Sequence, residues 1–332
     1  MEQLGLYEDL LKIALPISST ILYKESMKKI IEFFPEESKK ILGYDVRVFP
    51  RPELYDLLLS KVPKEKILFG KKVMSILQNK EGAMIRCSDN TSYHGDIIVG
   101  ADGAYSGVRQ SLYKQLSDEN KLPVSDAEQM AVNFSMLVGT TDSLEPEKYP
   151  LNPDSSSTFS FMIGDKGNPY TWSTFSVHGN KICWGVQVQL SPRAAEDESF
   201  RNSEWGPEAN EAIIKDVYNF NTPHGKLGEF IDQTPKDRIS RVFLEDKLFS
   251  TWHHRRTVLI GDACHKLLPS AGQGAVTAMQ DAVVLANCIY EMASANIENV
   301  EAALADFRLQ RYEHVKIQYE KSKANAKIIY GQ

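Results

Sequence analysis

Two aspartates, Asp102 and Asp262, each close a short apolar run, DIIVGAD in one case and TVLIGD in the other. Runs of this kind read as β-strands of a parallel sheet covered on both faces. In open α/β sheets ligands bind outside the carboxyl ends of the strands, and a carboxylate there can accept hydrogen bonds from sugar or polyol hydroxyls. The competing reading is structural, because an aspartate ahead of a helix also caps it. Beyond Asp262, the residues Gly272, Gln273 and Gly274 lead into the helical run AVTAMQDAVVLANCIYEMA. Glycine lets the backbone approach a ligand closely, and a helix start offers free N–H groups and partial positive charge to a group that becomes anionic. A glycine turn before a core helix needs no ligand, so the case rests on these features occurring together.

These residues need elements to position them. The run after Gly274 carries Val276, Met279, Val283, Leu285 and Ile289 on more than one face, which predicts a buried helix. RPELYDLLLSKVP, bounded by Pro52 and Pro63, predicts a short helix entered by Arg51. Lys71 to Tyr93 reads as a β-meander with turns at Gln78 to Gly82 and at Asp89-Asn90. LYKESMKKIIEFF reads as a charged surface segment. Between Met130 and Leu190 long alternating segments, with a turn at His178-Gly179-Asn180, predict antiparallel sheet. EANEAIIKDVYNF is helical, TPHGKLGEF is a loop, and helices run on to the final YGQ. The buried-strand segments thus flank an antiparallel insert. The expected division is 1–129 and 246–332 as two segments of one part, with 130–245 as an antiparallel domain between them.

Composition narrows the function. At 332 residues, 42% apolar and 25% charged, the chain can bury a sizeable core, and two domains, or one with a large insertion, are expected. A net charge of -6 supplies no basic excess for phosphate neutralisation, which argues against a nucleic-acid partner. The four cysteines, Cys87, Cys183, Cys264 and Cys288, include no CxxC pair and read as packed thiols of a reducing compartment, with no metal site among them. No signal peptide and no membrane-length apolar run is visible, so a soluble, cytoplasmic protein is expected.

The spacing GDAxHKxxPxxGQG, here Gly261, Asp262, Ala263, His265, Lys266, Pro269, Gly272, Gln273 and Gly274, followed by Asp281-Ala282, resembles the flavin-ribityl motif of FAD-dependent aromatic hydroxylases. GADGAYSGVR, with Asp102, Gly103, Ser106 and Arg109, is similar to that family's DGxxSxxR motif, and RPELYDLLL to its third recurring segment. The three stand in the family's order, and the HK and GQG variants resemble its salicylate-hydroxylase-like fungal branch. The resemblance implies an α/β, Rossmann-like FAD-binding fold with an antiparallel substrate layer. It implies a class A flavoprotein monooxygenase, in which NAD(P)H reduces FAD and one oxygen atom of dioxygen passes to an aromatic or lipophilic small molecule by hydroxylation or epoxidation. Asp262 would hold the ribityl hydroxyls, Gly272 to Ala275 would face the flavin pyrimidine edge, Asp102, Gly103 and Arg109 would lie along FAD, and Arg51 would reach it. Gly261 and Pro269 belong to the same contact set. No residue is singled out as the catalytic acid, base or nucleophile.

The family's opening strand, GxGxxG turn and helix have no counterpart here, so the sequence resembles one that starts late, without the N-terminal βαβ unit. The alternative expectation is therefore a non-catalytic remnant or fragment that does not retain FAD. The family's asparagine after GxGx is Val276 here. His265 reads as a satisfied polar group in preference to a general base, and Lys266 with the HHRR run, His253 to Arg256, as a solvated charge cluster. Phe159, Phe161, Trp172, Phe175 and Trp184 are divided between core and pocket lining. Substrate and oligomeric state are not legible.

Overall fold

The computed structural model describes residues 1–151, 155–190 and 207–329; the closing YGQ lies outside the described residues. Strands are β1 (Leu15–Lys24), β2 (Lys29–Phe33), β3 (Arg47–Val48), β4 (Val73–Gln78), β5 (Ala83–Cys87), β6 (Ser92–Gly95), β7 (Ile98–Gly100), β8 (Ala131–Thr140) and β9 (Ser157–Ile163). They continue with β10 (Tyr170–Val177), β11 (Lys181–Gln189), β12 (Asn221–Thr222), β13 (Gly225–Lys226), β14 (Ser240–Leu248), β15 (His253–His254), β16 (Thr257–Leu259) and β17 (His265–Lys266). Helices are α1 (Tyr7–Ile13), α2 (Glu36–Leu42), α3 (Arg51–Leu59), α4 (Gly107–Asp118), α5 (Val124–Ala127), α6 (Pro207–Val217), α7 (Leu227–Asp232), α8 (Gly274–Tyr290) and α9 (Ile297–Ile329).

The chain forms two compact units. Among the described residues one holds those of 1–67 and 133–243 with Ile329, the other 68–132 and 244–328. Residues 1–67, expected in the flanking part, thus cluster with the antiparallel insert. The reason is backbone pairing: β1 runs parallel to β9 from Ile17–Ser157 to Lys24–Ile163. The segment read as a charged surface run is partly or fully exposed along its length, as expected, and folds as part of the β1–β2 hairpin, with Met27 at φ 65 in its turn.

In the first unit the strand order is β8-β11-β10-β9-β1-β2. Gly179 and Asn180 take φ 80 and 53, the left-handed pair that a tight hairpin between β10 and β11 requires. Period-two alternation then divides the aromatic side chains by face. Trp172 and Trp184 are fully buried with Leu137, Met162, Val217 and Phe230. Their indole N–H groups donate to Asn221 O at 2.8 Å and to Thr234 Oγ1 at 2.9 Å, so neither ring leaves a polar atom stranded. Part of the segment read as a loop, TPHGKLGEF, is the β12–β13 hairpin running into α7.

In the second unit β7 and β16 pair in parallel, Ile98 with Thr257 and Gly100 with Leu259, and β15 completes their sheet. The expected meander forms as β4-β5-β6. The core gathers Ile76, Leu112, Trp252, Val258, Leu259 and Phe307. β16 is buried at every residue, but β7 alternates, with Ile98 and Gly100 buried and Val99 41% exposed, so one face of β7 is uncovered at Val99. The expectation of full burial fails for α8 too: Thr277, Asp281, Leu285 and Cys288 form its buried face, and Val276 and Val283 are exposed. Composition all around a helix does not tell which face meets a neighbour. Among the described residues no helix is long and apolar enough to cross a membrane.

Candidate functional site: the carboxyl ends of two parallel strands

Asp102 and Asp262 sit beyond the same end of adjacent parallel strands, since β7 finishes at Gly100, β16 finishes at Leu259, and Ile260 N–H donates to Gly100 O at 3.0 Å. Sequence reasoning brought this pair together correctly in space. Their surroundings differ. Asp102 accepts from Val108 N–H at 3.1 Å and from the Ser106 hydroxyl, while Ser106 Oγ accepts Arg109 N–H at 2.9 Å. It thereby serves the start of α4, the structural alternative for an aspartate at this position. Gly103, with φ 82, has open space where a Cβ would lie. Arg109, expected along the cofactor, is buried: its guanidinium donates to Ala263 O at 2.8 Å and to Ala104 O at 2.5 Å and stacks 4.3 Å from the Phe249 ring. It ties the two strand-end loops to each other, and burial pushes its guanidinium below the usual value.

Asp262 is partly exposed and pairs with Lys266, Oδ2 to Nζ 2.6 Å. Lys266 is therefore an ion-pair partner within the loop. A carboxylate offers more lone pairs than one ammonium takes up, so acceptor capacity is left for hydroxyls. Pro269 opens a 3-10 turn closed by Gly272 at φ 62, and Gln273 at the N-cap of α8 makes no side-chain cap. A Cβ at Gly272 or Gly274 would meet nothing within 4 Å, and Ala275 is exposed. The first N–H groups of α8 thus face open space with no capping side chain, a ready anion site. A half-exposed carboxylate, bare glycines and an uncapped helix start are a donor and acceptor set that fits the ribityl chain and pyrimidine edge of a flavin. Arg51, at the exposed N-terminus of α3, belongs to the first unit.

His265 is buried, with Nε2 on Asp281 Oδ2 and Nδ1 without a hydrogen-bond partner among the described residues, so the expected satisfied polar group is satisfied at one ring nitrogen only. Cys264, His265 and Asp281 offer ligand atoms within 4.8 Å of one another. Each has partners within the protein: the Cys264 thiol lies 3.3 Å from Leu259 O, His265 Nε2 meets Asp281 Oδ2, and Arg311 Nε donates to Asp281 Oδ1 at 2.8 Å, while burial pushes the thiol up. Burial works to raise the Asp281 carboxyl, but hydrogen bonds from His265, Arg311 and Gly261 outweigh it and hold the group below its ordinary value.

The HHRR run is not a solvated cluster. Arg256 is 1% exposed and donates to four carbonyls, those of Asn79, Lys80, Asp96 and Ala295. His253 is held down to about 4, first by burial and then by Arg308 and His254. Four successive polar residues give no signal of burial, because only the fold brings four unpaired carbonyls around one of them. The aromatic group divides as well: Phe159, Phe161 and Phe175 stay half-buried, with Phe159 stacked 4.6 Å from each of the other two.

With this geometry the family follows. Residues 1–299 match the FAD binding domain family. The chain belongs to that family, whose members of this type are class A FAD-dependent monooxygenases, oxidoreductases with FAD as cofactor. The FAD-dependent monooxygenase prhF of Penicillium brasilianum is 27% identical over 99% of this chain and 68% of its own length. The FAD-dependent monooxygenase ptmM of Penicillium ochrochloron is 28% identical over 97% and 75%. Among solved structures, Klebsiella pneumoniae HpxO complexed with FAD and uric acid superposes with a TM-score of 0.77 at 21% identity, over 100% of this chain and 77% of that one. The 2,6-dihydroxypyridine-3-hydroxylase of Arthrobacter nicotinovorans gives 0.76 at 16% identity, over 99% and 80%. The expected α/β FAD-binding fold of aromatic hydroxylases is the fold of this chain.

Proposed function

We propose that this chain hydroxylates or epoxidises an aromatic or other lipophilic small molecule, taking electrons from NAD(P)H and one oxygen atom from dioxygen. The observation that carries this reading is the half-exposed Asp262 followed by the bare glycines and uncapped start of α8. When bound, FAD supplies the redox chemistry; the protein binds, orients and shields it. In this reading Asp262 accepts hydrogen bonds from the ribityl hydroxyls. Gly272, Gln273, Gly274 and Ala275 present N–H groups to the edge of the ring that gains negative charge, where the positive end of the α8 dipole is most useful. Gly261 and Pro269 shape the turns on either side. Gly103 leaves room for the dinucleotide to pass, and Asp102 and Arg109 act by fixing the loops beside it.

The substrate side of the reading rests on the three half-buried phenylalanines of β9 and β10, whose stacked rings offer an aromatic surface while the tryptophans are consumed by the core. A reducing, cytoplasmic setting is in keeping with four free cysteines.

The test combines two measurements on the purified chain. FAD addition should yield a bound-flavin absorption band, and NAD(P)H should then be consumed with label from dioxygen entering an aromatic product. Flavin binding without label in product would replace the monooxygenase by a dehydrogenase. Arg51 carries its own prediction: if it reaches FAD, Arg51→Ala loosens the cofactor by about tenfold, the loss of one charge-assisted bond. A flavin titration matching that of the unaltered chain removes Arg51 from the contact set.

A further inference from the structure

Asp281 is wholly buried on α8, seven residues beyond its start, and none of the proposed cofactor contacts uses it. Its Oδ2 accepts Gly261 N–H at 2.9 Å and also meets Nε2 of His265. One carboxylate oxygen therefore grips the loop on both sides of Asp262, one residue before it and three after. The other oxygen accepts Arg311 Nε from α9 at 2.8 Å, and Arg311 Nη2 reaches Thr277 O at 3.3 Å and Gln280 Oε1 at 3.2 Å. Arg311 thus balances the buried charge and fixes its direction. Gly261 has φ 59, and a Cβ there would lie 3.0 Å from Ala278 Cβ, so the turn is pressed against the same helix that supplies the carboxylate. Lys266, the ion-pair partner of Asp262, follows directly after the gripped His265.

We propose that Asp281, held by Arg311, is the positioning residue for Asp262: it locks the 261–265 loop onto α8 so that the Asp262 carboxylate and the first N–H groups of that helix face FAD in one fixed geometry. The inference rests on the reading that Asp262 binds FAD. A buried carboxylate with three donors has little rotational freedom, and a carboxylate that is already oriented loses less entropy when it engages a ligand hydroxyl. A structural role for Asp281 alone would lower stability without any dependence on Asp262.

The experiment is a double-mutant cycle on the full chain, read as the FAD dissociation constant from flavin fluorescence and as the visible circular dichroism of bound flavin. Asp281→Leu is combined with Arg311→Met so that no unpaired charge stays buried, and thermal unfolding reports the fold. Loss of FAD affinity by about tenfold or more is expected for the pair, together with altered flavin dichroism, whereas in an Asp262→Ala background the same pair adds less than about threefold. Affinity unchanged by the pair, or a full tenfold loss repeated in the Asp262→Ala background, overturns the proposal. Asp281→Asn, which keeps an oxygen for Gly261 N–H, provides the same cycle should the pair fail to fold, with about threefold or greater loss expected and none overturning it. An Asp262→Ala chain that binds FAD as tightly as the unaltered chain, or an unaltered chain that takes up none, removes the underlying reading and the inference with it.

Discussion

Asp262→Ala is expected to weaken FAD binding by roughly 10- to 150-fold, the equivalent of losing hydrogen bonds to one ionised group. The carboxylate is partly exposed, and its partner Lys266 is partly exposed too, so the lysine freed by the substitution can be solvated by water. Partly exposed ion pairs contribute little to stability, so the folded state should persist with its unfolding midpoint nearly unchanged. That separation makes the prediction sharp: affinity falls while stability does not. Fluorescence titration of FAD into the variant and the unaltered chain measures the first, and thermal denaturation the second. Equal dissociation constants would mean that the ribityl chain is held elsewhere, and the assignment of the loop between β16 and α8 would fall.

The second large effect concerns stability. Arg256→Met should destabilise the second unit by about 4 kcal/mol or more, because it strands buried acceptors in place of removing a single contact. Arg256 Nε donates to Asn79 O at 3.1 Å, Nη1 donates to Asp96 O at 3.0 Å and Ala295 O at 3.1 Å, and Nη2 donates to Lys80 O. These carbonyls lie in the turn between β4 and β5, ahead of β7, and ahead of α9. Methionine matches the aliphatic stem but offers no donor, and about 1–3 kcal/mol is the usual cost of each buried group left unsatisfied. Some of the four will find water as the loops relax, which sets the expectation below the full sum. Denaturant unfolding gives the free energy; a change under about 1 kcal/mol would mean that the four acceptors are satisfied without the guanidinium.

How much of the site could be read in advance differs residue by residue. The placement of Asp102 and Asp262 followed from local pattern, since a short apolar run ending in Gly and Asp leaves few options for where the carboxylate stands. Asp281 stood in the motif without a role, and Arg311 carried no signal at all. Nothing about an arginine in the polar run FRLQRYEHV marks it as buried; what fixes it is a carboxylate 30 positions earlier on another helix. Arg109 was read as a cofactor contact, yet its donors are directed at Ala104 O and Ala263 O, and the second of these partners is 154 residues away.

By itself the sequence determined the class of fold, the parallel strands and their terminal aspartates, the glycine turn ahead of α8, and the Gly179-Asn180 hairpin, because each depends on backbone conformation and periodicity within a few residues. Only the tertiary structure decided which faces are covered and which charges are buried. It exposed Val276 and Val283 on a helix that reads as apolar, sent Trp172 and Trp184 into the core while leaving Phe159, Phe161 and Phe175 half-buried, and buried Arg256 and Arg311 among acceptors. Burial and hydrogen-bond satisfaction are properties of neighbours brought together across long stretches of chain, and those neighbours exist only once the chain has folded.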